Sequence, residues 1–416
     1  MKTPRGNRLH IGIFGKRNAG KSSLINALTG QSHAIVSDTP GTTTDPVFKS
    51  MELPGVGPAV FIDTAGFDDE GQLGKLRVEK TTDIIDRIDL AILVIDGADM
   101  LLGKEGSWMQ RLTEAGIPTV TVLNKWDIVN EIGHLLLSKE AADLTREFSL
   151  KPPIPVSANT GEGIEELRQA IIDAMPQGST QEKILGDRIA DGSLVLLVMP
   201  QDIQAPKGRL ILPQVQTIRE LLDRKCTVVS TTADGVEAAL SSLNRQPDLI
   251  ITDSQCFSEV YEQKPEETKL TSFSILMAAA KGDIDEFVRG AAVIDETIDR
   301  MEKEGESGGE VKPLRVLIAE ACTHVPLNED IGTVKIPRLL HKTFGEHVTI
   351  TSVRGDDFPD AEGLKQFDLI IHCGACMFNR RHVLSRIEAA KAAGVPITNY
   401  GIFLARMTGI LDKVIL

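Results

Sequence analysis

Short apolar runs alternate with stretches of helical spacing from Leu9 to about Pro176. Segments such as Ser22–Leu28 and Gly106–Ala115 carry apolar residues at intervals of three and four, which predicts helices. The apolar runs between such stretches, each interpreted as a buried strand, are Ile11-Gly-Ile-Phe, Val60-Phe-Ile-Asp, Leu90-Ala-Ile-Leu-Val-Ile-Asp and Val120-Thr-Val-Leu-Asn. Strands that are buried on both faces have such continuous apolar runs, so the alternation predicts a parallel sheet covered by helices.

A second pattern follows the polar linker Gln177-Gly-Ser-Thr-Gln-Glu-Lys. Three apolar strands recur at an offset of 120 positions, and Leu270–Met301 between the two sets is predicted to be helical. The matched pairs are Leu194-Val-Leu-Leu-Val-Met with Leu314-Arg-Val-Leu-Ile-Ala, Thr227-Val-Val-Ser with His347-Val-Thr-Ile, and Asp248-Leu-Ile-Ile-Thr with Asp368-Leu-Ile-Ile-His. The pattern indicates either two copies of one strand–helix–strand unit or the general similarity of parallel strands.

The length of 416 residues predicts two to three domains at about 150 residues each. We place the boundaries at the polar linker and after the first of the two recurring sets of strands. The predicted domains are residues 1–176, 177–263 and 264–416.

The first apolar run is followed by a phosphate-binding motif. Gly15-Lys-Arg-Asn-Ala-Gly-Lys-Ser fits G-x-x-x-x-G-K-[ST], and it lies between a predicted strand and a predicted helix, as this motif requires. Backbone N–H groups at the start of a helix then point at phosphates, Lys21 neutralises the β- and γ-phosphates, and Ser22 ligates Mg²⁺. The predicted nucleotide-binding residues of this loop are Gly15, Asn18, Ala19, Gly20, Lys21, Ser22 and Ser23.

Three further motifs follow the ends of predicted strands, where open α/β sheets bind ligands. In Asp63-Thr-Ala-Gly66, the carboxylate can hold Mg²⁺ through a water and the Gly66 N–H can face a γ-phosphate. In Asn124-Lys125-Trp-Asp127, the carboxylate can accept both N1–H and N2–H₂ of guanine, a donor pair that adenine lacks. Ser157-Ala158-Asn159 follows a further short strand, Ile154-Pro-Val.

The order and spacing of these motifs resemble the Era/TrmE-like GTPases over Leu9–Pro176. The resemblance implies hydrolysis of GTP to GDP and phosphate, with catalytic contributions from Lys21, Gly66, Asn18 and Thr43. It implies Thr43, or its neighbours Thr42 and Thr44, as the second protein ligand of Mg²⁺ and Asn18 as a ligand of K⁺. Because Phe67 occupies the position of a water-orienting glutamine in Ras-like proteins, we expect slow intrinsic hydrolysis that K⁺ stimulates.

The C-terminal segment carries cysteines at two strand ends. Cys322-Thr-His324 follows one predicted strand and His372-Cys373-Gly-Ala-Cys376 follows another. If these strands are neighbours, three sulfur ligands meet in one crevice. The spacing alone leaves open a zinc site, an iron–sulfur cluster and a redox dithiol.

The same pattern behind a GTPase domain resembles the maturation GTPases of the FeFe hydrogenases across all three segments. The resemblance implies a 4Fe–4S cluster held by Cys322, Cys373 and Cys376, with an exchangeable non-cysteine ligand at the fourth iron. His324 and His372 are the nearby candidates for that ligand or for a supporting role. It further implies a homodimer or larger homo-oligomer formed through residues 177–263, and a scaffold that receives a di-iron subcluster precursor from radical-SAM maturases and delivers it to apo FeFe-hydrogenase.

The net charge and the short apolar runs of the chain limit the classes of partner that we expect. The formal net charge is −14, which disfavours nucleic acid, and no apolar run reaches the length of a membrane span. The first residues, Met1-Lys-Thr-Pro-Arg-Gly-Asn-Arg, lack the apolar stretch of a signal peptide. We therefore expect a cytoplasmic α/β protein in which a P-loop GTPase domain precedes two smaller parallel α/β domains. Two alternatives are an RNA- or ribosome-associated Era-like GTPase and a GTPase switch regulated by zinc or redox state.

Overall fold

A computed structural model describes residues 6, 8–29, 47–53, 55–64, 81, 83–99, 104–129, 131–176, 183–200, 210–306, 311–321 and 330–416. Contacts within the chain divide it into two compact units, Met1–Gln181 and Glu182–Leu416. Each unit is described separately below.

The first unit is built on one six-stranded sheet. Its strands are β1 (Leu9–Gly15), β2 (Val47–Leu53), β3 (Gly57–Asp63), β4 (Leu90–Asp96), β5 (Thr119–Asn124) and β6 (Ile154–Pro155). They lie in the order β2-β3-β1-β4-β5-β6. All neighbouring strands are parallel except β2, which pairs antiparallel to β3 at the edge of the sheet. The four strands predicted from the apolar runs correspond to β1, β3, β4 and β5.

Helices cover both faces of this sheet. They are α1 (Lys21–Thr29), α2 (Glu105–Glu114), α3 (Glu131–Glu147) and α4 (Ile164–Ala174). Leu24 of α1 and Leu167 of α4 pack in one apolar core, while Trp108 of α2 and Leu137 of α3 pack in the core on the opposite face. Strand side chains on both faces are therefore buried, which explains the continuous apolar runs.

The second unit contains two four-stranded parallel sheets. One consists of β7 (Leu194–Val198), β8 (Thr227–Thr231), β9 (Leu249–Thr252) and β10 (Lys269–Ser272), in the order β10-β9-β7-β8. The other consists of β11 (Leu314–Glu320), β12 (Val348–Arg354), β13 (Leu369–His372) and β14 (Ile397–Asn399), in the order β12-β11-β13-β14. The two sheets share a pattern in which the first strand, β7 or β11, lies between the second and the third, and the fourth lies outside the third.

Nine helices are described in this unit between residues 210 and 407. They are α5 (Leu212–Asp223), α6 (Val236–Ser241), α7 (Phe257–Gln263), α8 (Phe273–Lys281), α9 (Ile284–Glu306), α10 (Ile336–Phe344), α11 (Ala361–Leu364), α12 (Arg380–Ala393) and α13 (Tyr400–Met407). The stretch predicted as helical from Leu270 to Met301 contains the end of β10 and then α8 and α9. The Ser272 hydroxyl accepts a hydrogen bond from the Ile275 N–H and so fixes the start of α8.

One apolar core joins the two sheets of the second unit. Leu196 of β7, Ile275 of α8 and Leu317 of β11 all belong to it. Strand β10 lies beyond the predicted boundary at residue 264 and pairs with β9. The division into three domains remains a prediction, whereas the predicted α/β class is confirmed.

Among the helices that the structure describes, none is long and apolar enough to cross a membrane.

Candidate functional site

The phosphate-binding loop connects β1 to α1, and its backbone conformation requires glycine at two positions. Gly20 has a φ of +88°, and a Cβ there would lie 2.2 Å from Asn124 Nδ2. At Gly15 a Cβ would lie 2.6 Å from the Val94 carbonyl oxygen. Asn18 adopts a left-handed conformation with a φ of 63°, which asparagine tolerates better than most residues. The motif glycines are therefore fixed by the close approach of β4 and of Asn124.

The Lys21 side chain lies over this loop. Its ammonium donates hydrogen bonds to the carbonyl oxygens of Gly15, at 2.9 Å, and Lys16, at 2.8 Å. Lys21 is buried at the first position of α1. Its positive charge is thus held at the helix N-terminus, where phosphate oxygens bind.

Two oxygen ligands suitable for Mg²⁺ lie together beside the loop. The Ser22 hydroxyl donates a 2.6 Å hydrogen bond to Asp63 Oδ2 at the end of β3. A hydroxyl and a carboxylate are hard donors of the kind that Mg²⁺ prefers, and this ion is usually held by few protein ligands together with phosphates. The residues present therefore fit the ion.

Asn124 joins the three loops that the sequence assigns to nucleotide binding. Its buried side chain donates to the Ala19 carbonyl at 2.8 Å and accepts from the Ala158 N–H at 3.2 Å. These hydrogen bonds tie the ends of β5 and β6 to the phosphate-binding loop. A cavity of about 470 Å³ lies between the loops. Its lining residues are Gly20, Ser23, Asn26, Ala27, Asn124, Lys125, Asp127, Ile128, Ala158 and Asn159.

Asp127, whose carboxylate is predicted to bind guanine, is one of the residues that line this cavity. A hydrogen bond from the Ser157 side chain lowers the pKa of Asp127, with a smaller effect from Asn159. The carboxylate is therefore ionised at neutral pH and can accept hydrogen bonds. Ser157 is itself buried, and its hydroxyl accepts from the Thr160 N–H at 3.1 Å.

Sequence reasoning missed two acidic positions around the loop. Glu105 is buried, and its carboxylate lies 3.3 Å from the Lys16 ammonium of the phosphate-binding loop. Asp96 at the end of β4 accepts a 2.6 Å hydrogen bond from the Lys125 ammonium. Asp96 could have been found from the sequence, because it ends a predicted parallel strand, where α/β sheets bind ligands. No comparable local signal marked Glu105, which begins α2.

Several predicted residues lie outside the described parts of the chain. They are Thr43 with its neighbours Thr42 and Thr44, Gly66, Phe67, Cys322 and His324. Their assigned roles stay predictions.

In the second unit, Cys373 follows β13, which is the direct neighbour of β11. The two strands that precede the cysteine motifs are therefore neighbours, as the convergence of these motifs requires. The Cys373 sulfur accepts hydrogen bonds from two backbone N–H groups, of Ala321 at 3.0 Å and of Ala375 at 3.4 Å. Donors aimed at sulfur stabilise a metal-bound thiolate, so this geometry fits a metal or cluster ligand.

Burial governs the chemistry of the two described thiols. It raises the pKa of Cys373 to about 11. It also raises the pKa of Cys376, against a smaller opposing effect of the Lys281 charge. A reactive dithiol needs a lowered thiol pKa, which is the opposite of the direction that burial gives here. Binding of a metal or cluster would instead displace the two protons.

His372 is buried with both ring nitrogens in hydrogen bonds. Nδ1 lies 2.8 Å from the Cys373 carbonyl oxygen and Nε2 lies 3.0 Å from Arg386 Nη1. Burial and the nearby Arg386 charge lower the pKa of His372 to about 3, so the ring is neutral. A neutral ring that donates through Nδ1 and accepts through Nε2 satisfies both contacts. Both ring nitrogens of His372 are thus engaged in hydrogen bonds, and its role at the cysteine site stays a prediction.

Glu320 adds a buried carboxylate at the end of β11, which sequence reasoning did not single out. Its oxygens contact Arg354 Nε at 3.1 Å and the Tyr400 hydroxyl at 3.3 Å. Burial and the neighbouring Asp330 charge raise the pKa of Glu320, while Arg354 opposes them. It lies two residues before Cys322 in the chain and could supply an oxygen ligand. Within the described ranges, no group of three or more His, Cys, Asp or Glu residues is arranged to hold a metal ion.

Relatives of the first unit are GTPases. The chain is 36% identical over 177 residues to the tRNA modification GTPase MnmE of Chromobacterium violaceum, covering 42% of this chain and 37% of that protein. It is 34% identical over 169 residues to GTPase Der of Wolinella succinogenes, covering 40% and 36%. It thus spans only about a third of the length of these relatives. The crystal structure of an Aquifex aeolicus Era variant bound to GDP.AlF4- matches at 18% identity and a TM-score of 0.36, covering 61% of this chain and 97% of that one.

Three family models match successive parts of the chain. Residues 10–125 match the 50S ribosome-binding GTPase model, so the first unit is a P-loop GTPase domain. Residues 184–282 match the hydrogen maturase F dimerization domain, and residues 310–416 match the hydrogen maturase F tetramerization domain. Both sheets of the second unit are covered by models of this one family. The domain order of the chain, a GTPase domain followed by the dimerization and tetramerization domains, therefore matches that of the hydrogen maturase F family.

Proposed function

We propose that this chain is a GTP-hydrolysing iron–sulfur scaffold that receives a di-iron subcluster precursor and delivers it to apo FeFe-hydrogenase. The observation that carries the proposal is the Cys373 loop, in which two backbone N–H groups point at the sulfur of a half-buried cysteine beside the strand leading to Cys322. That loop lies within the part of the chain matched by the hydrogen maturase F tetramerization domain. Radical-SAM maturases are the proposed source of the precursor.

The nucleotide chemistry is assigned to the first unit. Asp127 selects guanine, Asn124 holds the surrounding loops together, and Lys21 draws the β- and γ-phosphates onto the helix N-terminus. Ser22 and Asp63, with Thr43, hold Mg²⁺, which offsets the phosphate charge when bound. The family resemblance assigns the Gly66 N–H to the γ-phosphate and Asn18 to K⁺. Hydrolysis by an in-line water then gives GDP and phosphate, and release of the loops around the γ-phosphate couples turnover to exchange of partners.

The cluster is assigned to the second unit. Cys322, Cys373 and Cys376 hold a 4Fe–4S cluster, and the fourth iron keeps an exchangeable non-cysteine ligand. An open iron position suits a scaffold that must accept and release a di-iron cargo. The names of the two matched domains support assembly into a homodimer or a larger homo-oligomer, and the expected cytoplasmic location remains a prediction.

Anaerobic purification and reconstitution test this function. We expect a brown protein with about four irons and four sulfides per chain and the electron paramagnetic resonance signal of a reduced 4Fe–4S cluster. The loaded protein should then raise the activity of apo-hydrogenase expressed without its maturases, provided that it is first exposed to the radical-SAM maturases. A colourless zinc protein would contradict the scaffold function and support a zinc-regulated switch. Binding of RNA at low salt would support the RNA-associated alternative.

Potassium dependence tests the role of Asn18. We expect GTP hydrolysis to be about 10-fold or more faster in KCl than in NaCl at equal ionic strength, because a cation beside the transferring phosphoryl group stabilises the transition state. The rate of phosphate release measures the effect. Asn18→Ala should remove the difference between the two salts, while the control Asn244→Ala, at an exposed position of the second unit, should keep it. Equal wild-type rates in both salts would exclude the potassium site.

A further inference from the structure

Lys281, the last residue of α8, is a buried lysine at the cysteine loop. Only 2% of its surface is exposed, although lysine is almost never fully buried without partners. Its ammonium donates a 2.7 Å hydrogen bond to the Phe378 carbonyl and a 3.3 Å hydrogen bond to the Ala375 carbonyl. Both acceptors flank Cys376. A charged side chain from 94 or more residues earlier in the chain therefore holds the cysteine loop.

The peptide that Lys281 holds has an unfavourable backbone conformation. Ala375 has a φ of 50°, in the left-handed region that is unfavourable for a residue with a Cβ atom. Its carbonyl accepts from Lys281 and its N–H points at the Cys373 sulfur. The contact with Lys281 thus stabilises the conformation that directs a backbone donor toward a cluster ligand.

Helix α8 contacts the loop region at two further points. The Arg380 guanidinium, which follows the cysteine motif, donates to the Ala280 carbonyl at 2.7 Å and to the Gly282 carbonyl at 3.3 Å. At the other end of α8, the Ser274 hydroxyl donates to the side-chain oxygen of Asn399, whose amide in turn donates to the Cys373 carbonyl at 3.3 Å. The cysteine loop and the residues next to it are therefore hydrogen-bonded to both ends of helix α8, directly at its C-terminal end and through Asn399 at its N-terminal end.

We propose that Lys281 is a positioning residue for the iron–sulfur cluster, holding the Cys376 segment in its ligating conformation and placing a fixed positive charge beside it. The inference rests on the proposed function. A cluster with three thiolate ligands is anionic, and burial of an anion is costly unless a cation or hydrogen-bond donors offset its charge. Net charge and hydrogen bonding around a cluster also set its reduction potential. Lys281 therefore influences both how long the protein retains the cluster and the reduction potential of the cluster.

The test compares Lys281→Met with Lys391→Met. Methionine keeps most of the length and the apolar stem of Lys281 but removes its charge and its donors. Lys391 is an exposed lysine in the last turn of α12, paired with Asp283 and Glu286, so its replacement removes the same charge away from the loop. Three quantities are measured on the full chain. They are the rate of iron loss to a chelator after anaerobic reconstitution, the midpoint potential of the cluster, and amide hydrogen exchange of residues 373–378 in the cluster-free protein.

We expect Lys281→Met to lose iron about 10-fold faster than wild type, which is the usual scale for loss of a group supporting metal ligands. The midpoint potential should shift to a more negative value, because the positive charge stabilises the reduced, more anionic cluster. Exchange of the 373–378 amides should be faster in the cluster-free variant. Lys391→Met should match wild type in all three measurements.

Iron retention and potential of Lys281→Met equal to those of wild type would overturn the inference. A lower melting temperature with unchanged exchange at 373–378 and unchanged potential would assign Lys281 a general structural role and also overturn it. If Lys281→Met does not fold, Lys281→Gln keeps a donor without the charge, and it should show the same direction of potential shift with a smaller effect on iron loss. A wild type that binds no cluster refutes the proposed function, whereas faster loop exchange in the variant would still show that Lys281 positions the loop.

Discussion

Replacement of Asp127 by asparagine is expected to weaken GTP binding on the order of 10⁴-fold, the scale on which a polar site rejects a ligand with mismatched hydrogen bonds. The Asp127 carboxylate is set at the cavity lined by Asn124 and Ala158 and has a lowered pKa. An ionised carboxylate accepts from both guanine donors, whereas the asparagine amide presents one donor of its own to them. Titration with a fluorescent GTP analogue measures the loss.

The same variant should gain affinity for xanthosine triphosphate. Xanthine carries an oxygen where guanine carries N2–H₂, so the new amide donor meets an acceptor. This gain separates a change in base recognition from misfolding. The matched control is Asp173→Asn, which changes an exposed residue near the end of α4 that accepts a hydrogen bond from Gln169, and it should bind GTP as wild type does. Weak binding of both nucleotides by Asp127→Asn would contradict the assignment of Asp127 to the base.

Replacement of Cys373 by alanine is expected to abolish stable cluster binding. Two backbone donors, from Ala321 and Ala375, converge on the Cys373 sulfur, and alanine leaves neither a ligand nor an acceptor. We expect iron after anaerobic reconstitution to fall from about four to less than one per chain, since a 4Fe–4S cluster needs its thiolate ligands. Iron and sulfide analysis, with the visible absorption spectrum, measures the loss.

Cys256→Ala is the matched control for this variant. Cys256 follows β9 as the cysteine motif follows the equivalent strand β13, and burial raises its pKa to about 11, as it does for Cys373. Its substitution removes the same atoms from a similar environment in the other sheet, so the iron content should stay at the wild-type value. Equal iron loss in both variants, or full iron content in Cys373→Ala, would refute Cys373 as a ligand.

Local patterns were sufficient to predict the strands of the first unit and the loops that carry the nucleotide motifs. The apolar runs at β1, β3, β4 and β5 identify the strands because both faces of the sheet are buried, and each motif follows directly from a strand end. Gly15 and Gly20 are readable in the sequence because backbone approach excludes any side chain at these positions. The antiparallel edge strand β2 was not predicted, since an edge strand lacks a continuous apolar run.

The surroundings of the cysteine loop depended on contacts between distant segments. The sequence could nominate His372 as a ligand, but only the fold shows that Arg386, on α12, occupies its second ring nitrogen. Likewise, the sequence shows only that Arg380 follows the cysteine motif, whereas the fold shows that its guanidinium donates to the Ala280 carbonyl at the end of α8.

By itself, therefore, the sequence determined the α/β class, the guanine-nucleotide motifs and the cysteine pattern, because glycine conformation, apolar periodicity and ligand type are properties of a few neighbouring residues. Only the tertiary structure decided that β10 pairs with β9, that β11 and β13 lie side by side, and that Lys281 is buried against the cysteine loop. The physical reason is that strand pairing and burial of a charge are set by packing between segments far apart in the chain, which no local spacing records.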